Sequence, residues 1–175
     1  KIAFSKLGLT KDKLDEFQTV EFNDQTVEVK QYLPIAEKAE LISRVLNNSV
    51  DDDAGYYNNL KLDMWLALEI VYAYSNISFT EKQKSDPMKL YDLLSSNKLL
   101  NLIIGLVPES EFYYLTKVTH ELATAIYTYR NSALGILDSI GRDYSNLNFD
   151  ATEIQKKLAD PENLTLLKNI VEKLG

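Results

Sequence analysis

Three consecutive aspartates, Asp51, Asp52 and Asp53, stand ahead of Gly55 and the pair Tyr56-Tyr57 in the stretch NNSVDDDAGYYNN, the closest this sequence comes to a metal-binding pattern. A hard cation such as calcium needs several oxygen donors converging from spaced positions, as in the loop D-x-[DN]-x-[DN]-G with a glutamate at its twelfth position. With Gly55 as the sixth residue, Val50 would be the first, Ala54 the fifth and Lys61 the twelfth. Three donors are missing. The stretch is read instead as a connection in which Asn and Asp favour turns and Gly55 supplies left-handed backbone.

His120 is the lone histidine, flanked by Thr119 and Glu121 within a helical pattern. A serine-type triad needs a histidine base beside a positioned nucleophile, and no nucleophile motif accompanies it, so His120 is read as a surface or packing residue. Without cysteine, disulfides, thiolate metal sites and thiol nucleophiles are excluded together. The glycines match neither G-x-x-x-x-G-K-[ST] nor G-x-G-x-x-G. No carboxylate pair sits in an apolar setting that would separate two pKa values for acid and base work. No catalytic residue, metal or cofactor is expected, and the chain is not read as an enzyme.

The elements that would position any site read as mainly α, a multi-helix bundle with a central apolar helix, one long helix and an N-terminal β-hairpin. TVEFNDQTVEVKQYL holds two alternating runs around Asn23-Asp24, which tolerate the positive φ of a two-residue turn. In that register Val20, Phe22, Val27 and Val29 share one face, with Thr19, Glu21, Thr26, Glu28 and Lys30 on the other. An isolated two-stranded hairpin is marginal in water, so the apolar face either lies on the chain's own helices or the hairpin pairs with a partner's strand.

Pro34 suits a helix start, and Ile35, Ala39, Ile42, Val45 and Leu46 follow at helical spacing. The segment from Leu60 to Tyr74 is apolar nearly all round, predicting a central helix with Trp65 buried and Glu69 looking outward. Thr80 with Gln83 reads as a capping box, and Asp86-Pro87 as a second helix start. Beyond Pro108 the stripe Phe112, Leu115, Val118, Leu122, Ile126, Tyr129, Ala133, Ile136 and Ile140 predicts a long helix with room for a break near Asn131 or Gly135. Asp150 and Asp160-Pro161 start two short helices. The expected division is a helical domain over 1–141 and a C-terminal helical appendage over 142–175.

A net charge of −7 opposes phosphate neutralisation, and lysines alternate with acids along most of the chain, so no direct nucleic-acid contact is expected. The longest near-apolar run, Met64 to Tyr74, is too short for a membrane span. No signal peptide is expected.

Tyrosine is abundant, with eleven residues and several close pairs. On a helix, residues two apart point about 200° away from each other, so one core cannot take both Tyr72 and Tyr74, or both Tyr127 and Tyr129. The rings either pack between helices with hydroxyls in water or serve contacts with a partner, a role tyrosine suits. The candidate contact residues are Val20, Phe22, Val27, Val29, Tyr56, Tyr57, Tyr113, Tyr114 and Tyr127.

The runs VEVKQYLPIAEKAELISRVLNNSVDDDAG, ISFTEKQKSDPMKLYDLL and NSALGILDSI resemble small uncharacterised structural-region proteins of tailed bacteriophages, over about residues 4–140. The resemblance implies a phage protein made with the structural genes and carries no functional residues of its own. The resulting expectation is a non-enzymatic virion or assembly protein, such as a head-tail connector component, found in the virion and in host cytoplasm during assembly. Its partners would be other phage structural proteins or copies of itself. The alternative is a small soluble phage effector that binds and inhibits a host protein, its acidity imitating nucleic acid.

Overall fold

The computed structural model describes residues 1–51, 56–135 and 137, with the side chains of Asp51 and Tyr56 outside the description. The chain divides into two compact units, Lys1–Thr128 and a second that begins at Tyr129. The expected boundary at 141 and the expected appendage over 142–175 lie outside the described residues, as do Asp52, Asp53 and Gly55.

The first unit is mainly helical and starts with two single-turn 3-10 helices, Phe4–Leu7 and Asp12–Asp15, neither of which buries a residue. Strands β1 (Phe17–Phe22) and β2 (Gln25–Lys30) then form the expected antiparallel hairpin, with Val20 opposite Val27 and Phe22 opposite Gln25. Asn23 and Asp24 both take positive φ, 48° and 59°, the geometry of a turn whose twist matches that of the strands it joins. The period-2 pattern fixes the register, because a slip of one residue would turn every valine to solvent.

Helix α1 (Ile35–Ser49) starts after Pro34, and the short strands β3 (Val50–Asp51) and β4 (Tyr56–Tyr57) pair beyond it. Helix α2 (Asn59–Tyr74) is capped by the Asn58 side chain, which accepts from the N–H groups of Leu60 and Lys61. It packs against α1, and also against α4 (Pro87–Ser96) and α5 (Leu99–Leu106). A helix touched on several sides must be apolar all round, and Leu62, Leu66, Leu68, Ile70, Val71 and Tyr74 are buried. The capping box forms as expected at α3 (Glu81–Lys84): Gln83 N–H donates to Thr80 Oγ1, and Thr80 N–H to Gln83 Oε1. Asp86 caps α4 through the N–H of Lys89.

Helix α6 (Glu109–Arg130) ends where a break was expected, at a turn through Asn131 and Ser132, before residues 133–135 resume helical backbone. In this turn a Cβ on Gly135 would run into the Tyr129 carbonyl, so only glycine fits.

Four burial expectations change. Trp65 is half-buried, and Tyr74 is the largest fully buried side chain, because Tyr74 sits opposite Glu111 where its hydroxyl finds a partner. Glu69 is buried and accepts a 2.8 Å hydrogen bond from Arg44 Nε, a cation supplied by the adjacent helix. Ile35 and Ala39 are exposed, the buried positions of α1 being Lys38, Leu41, Ile42, Val45, Leu46 and Ser49. On α6 the buried line runs Glu111, Leu115, Thr119 and Ala123, leaving Leu122 exposed: small side chains at Thr119 and Ala123 let this face approach the core most closely.

Candidate functional site

The candidate contact residues separate by what covers them. Val27 and Val29, expected among contacts, are core residues at 5% and 0% exposure, since β2 lies directly over the helices. They are not part of the surface. Val20 and Phe22 pack against the same core and are half-buried.

Tyr57 is half-buried, while Tyr113, Tyr114 and Tyr127 are exposed, Tyr113 most at 64%. Tyr72 and Tyr74 diverge as their spacing requires: Tyr74 enters the core, and Tyr72 stacks edge-on against Phe79 with ring centroids 5.1 Å apart. Burial and the nearby Glu69 raise the Tyr72 pKa.

The strongest polar cluster lies where the hairpin joins the helices. Glu111 Oε1 is 2.6 Å from Lys38 Nζ, and its Oε2 accepts from the Tyr74 hydroxyl at 2.8 Å and from the Leu33 N–H at 3.2 Å. The Lys38 ammonium also lies 4.4 Å from the centre of the Tyr32 ring and 5.4 Å from that of Tyr114. Burial first, then the hydrogen bond to Glu111, push the Tyr74 pKa far above its ordinary value. An ammonium, a phenol and an amide take three of the roughly four acceptor sites of this carboxylate, which is itself buried away from any substrate. This cluster ties α1, α2 and α6 to Leu33 in the connection that follows β2; its role is structural.

His120 Nε2 lies 3.0 Å from Asp63 Oδ1 beside a cleft of about 230 Å³ lined by Tyr57, Asn59, Leu62, Ala123 and Thr124. The Thr124 hydroxyl at this cleft donates to the His120 carbonyl of its own helix at 2.8 Å rather than to the ring. A pair whose side chains are 39% and 63% exposed is well solvated, the opposite of the water-excluded setting in which such a dyad gains power.

A second apolar groove of about 290 Å³ runs between α1 and α6, with Ile35, Ile42 and Leu46 on one wall and Tyr114, Val118 and Leu122 on the other. It places Tyr114, one of the expected contact residues, beside exposed Ile35 and Leu122.

One exposed apolar set among the described residues was not singled out in the sequence. Ile2, Phe4 and Leu9 are 77%, 75% and 69% exposed, and Leu7, Leu14 and Phe17 are exposed with them. Every residue from 1 to 19 is exposed. A signal was there to be read: residues 1–11 contain Lys1, Lys6 and Lys11 and no acid, so the rest of the chain carries the whole acidic excess.

Among the described residues no group of His, Asp or Glu is arranged to hold a metal, and no helix is long and apolar enough to cross a membrane. No protein-family model, no curated protein and no solved structure matches the chain.

Proposed function

We propose that this protein is a non-enzymatic assembly protein that works through protein–protein contacts. The observation that carries the reading is the segment from Ile2 to Phe17, which presents six large apolar side chains to solvent and buries none of its residues. An apolar set of this kind marks a contact surface, because leaving it in water forgoes the burial that stabilises apolar side chains elsewhere in the chain. Tyr113, Tyr114 and Tyr127 add exposed aromatic area.

The setting we propose is the assembly of a tailed bacteriophage, as the resemblance implies, with the head-tail junction as one place for such a component. Mass spectrometry of purified particles tests it: the chain should be present in stoichiometric amount, and the double variant Phe4→Ser/Leu9→Ser should incorporate poorly while remaining folded. Absence from particles, with the chain recovered on a host protein, would replace this reading with that of an effector.

A further inference from the structure

The two edges of the hairpin are finished differently. With a two-residue turn, Phe22 and Gln25 exchange backbone hydrogen bonds, and so do the pairs Val20 with Val27 and Gln18 with Val29. The intervening residues therefore turn their N–H and C=O groups outward: Phe17, Thr19 and Glu21 on β1, Thr26, Glu28 and Lys30 on β2. On β2 this edge is covered by Asn76. Its N–H donates to the Glu28 carbonyl at 3.2 Å, its Oδ1 accepts from the Glu28 N–H at 3.1 Å, and its Nδ2 donates to the Thr26 carbonyl at 3.4 Å. On β1, among the described residues, the outward backbone groups of Phe17, Thr19 and Glu21 have no partner. The strand also lacks the lysine, proline or bulge that blunts exposed edges.

We propose that two copies of this chain join β1 to β1, antiparallel about a two-fold axis at Thr19, to make a continuous four-stranded sheet. The inference rests on the association reading and names the partner. Three features select a second copy. First, the edge is self-complementary: Thr19 meets the partner's Thr19 and Phe17 meets the partner's Glu21, so every outward N–H finds an outward C=O. Second, the charges agree. No like charges are set opposite each other, and each Phe17 is flanked by its own Lys30 on one side and the partner's Glu21 on the other. Third, the apolar face of the hairpin is left unfinished on the same side. Val27 and Val29 are fully covered but Val20 and Phe22 only half, and a two-fold axis normal to the sheet puts both helical bodies on this face, where each extends the other's cover.

The test is sedimentation of the full chain from micromolar to near-millimolar concentration, with the variants Thr19→Pro, Thr19→Cys and Thr26→Cys. The Thr19 N–H lies outside the hairpin ladder, so proline there removes only the outward donor, an edge position where proline is tolerated. Wild type should dimerise. Thr19→Pro should weaken the dimer by about tenfold to a hundredfold, the equivalent of one net hydrogen bond lost from each copy, with an unchanged circular dichroism spectrum. Because the chain has no cysteine, oxidation of Thr19→Cys reads the axis directly. The paired Cα atoms would lie about 5.5 Å apart, within disulfide reach, and Thr26→Cys should not cross-link.

A wild type that stays monomeric, a Thr19→Pro variant that dimerises normally, or equal cross-linking at both cysteines would each overturn the proposal. Should Thr19→Pro fail to fold, the two cysteine variants decide alone. A chain that is monomeric but present in particles removes the edge pairing and leaves the association reading standing. One that is monomeric and absent from particles and complexes removes both.

Discussion

The strands β1 and β2 lie side by side, yet one belongs to the core and the other to the surface. β2 buries Val27 and Val29, has its outer edge capped by Asn76, and leads directly into Leu33 and Lys38, which are tied to Glu111. β1 leaves Val20 and Phe22 half-covered, has an outer edge that is open among the described residues, and is preceded by residues that bury nothing. A sheet edge closes where the chain itself supplies a cap; here the described residues supply one cap for two edges. On the proposed pairing, stability and association fall to different strands of one hairpin, and substitutions should separate them.

The largest effect is expected at the root of β2. Replacing Lys38 by Met leaves the buried Glu111 carboxylate without its cation and should cost about 3–5 kcal/mol in denaturant unfolding, the usual penalty for breaking a buried ion pair from one side. Tyr74→Phe removes one hydrogen bond to the same carboxylate and should cost about 1.5–3 kcal/mol. It should also change the alkaline limb of stability. Since the Tyr74 pKa is raised in the folded protein, above pH 10.0 the unfolded chain gives up this proton while the folded chain keeps it, and stability falls as pH rises. Tyr74→Phe should flatten that fall. Tyr72, raised in the same direction, should maintain part of it.

Asn76→Ala removes the two side-chain bonds to the edge of β2, leaving the backbone N–H of residue 76 on the Glu28 carbonyl, and should cost about 1 kcal/mol. The smallest stability effect is expected in the leading segment. Phe4→Ser with Leu9→Ser should change unfolding free energy by less than about 0.5 kcal/mol per site, as surface substitutions do, while lowering incorporation into particles.

Local features of this fold were legible in the sequence. The alternation around Asn23-Asp24 fixed the hairpin and its register, the Thr80–Gln83 spacing the capping box, and the all-round apolarity of Leu60–Tyr74 the central helix. Each depends on residues within a few positions of one another. What the sequence hid depends on distant partners. Glu69 is buried because Arg44 reaches it from α1, Lys38 because Glu111 faces it from α6, and the edge of β2 is closed by Asn76 from beyond α2. No period reveals such pairings. The division of labour within the hairpin was hidden for the same reason: β1 and β2 carry equivalent patterns, and only the position of the helices makes Val27 and Val29 core while leaving Val20 and Phe22 half-exposed. Which of Tyr72 and Tyr74 enters the core was hidden too, because a phenol deep in the core needs an acceptor, and Glu111 is one that no local pattern indicates.

The difference between the two edges can be read most directly by amide hydrogen exchange, residue by residue, at low and high protein concentration. The Glu28 N–H, held by Asn76 Oδ1, should be protected to the same degree at both. The Thr19 and Glu21 N–H groups should exchange as exposed amides in dilute solution and become protected as concentration rises, in step with the dimer fraction. Exchange at Thr19 and Glu21 that is unprotected at every concentration would contradict the account.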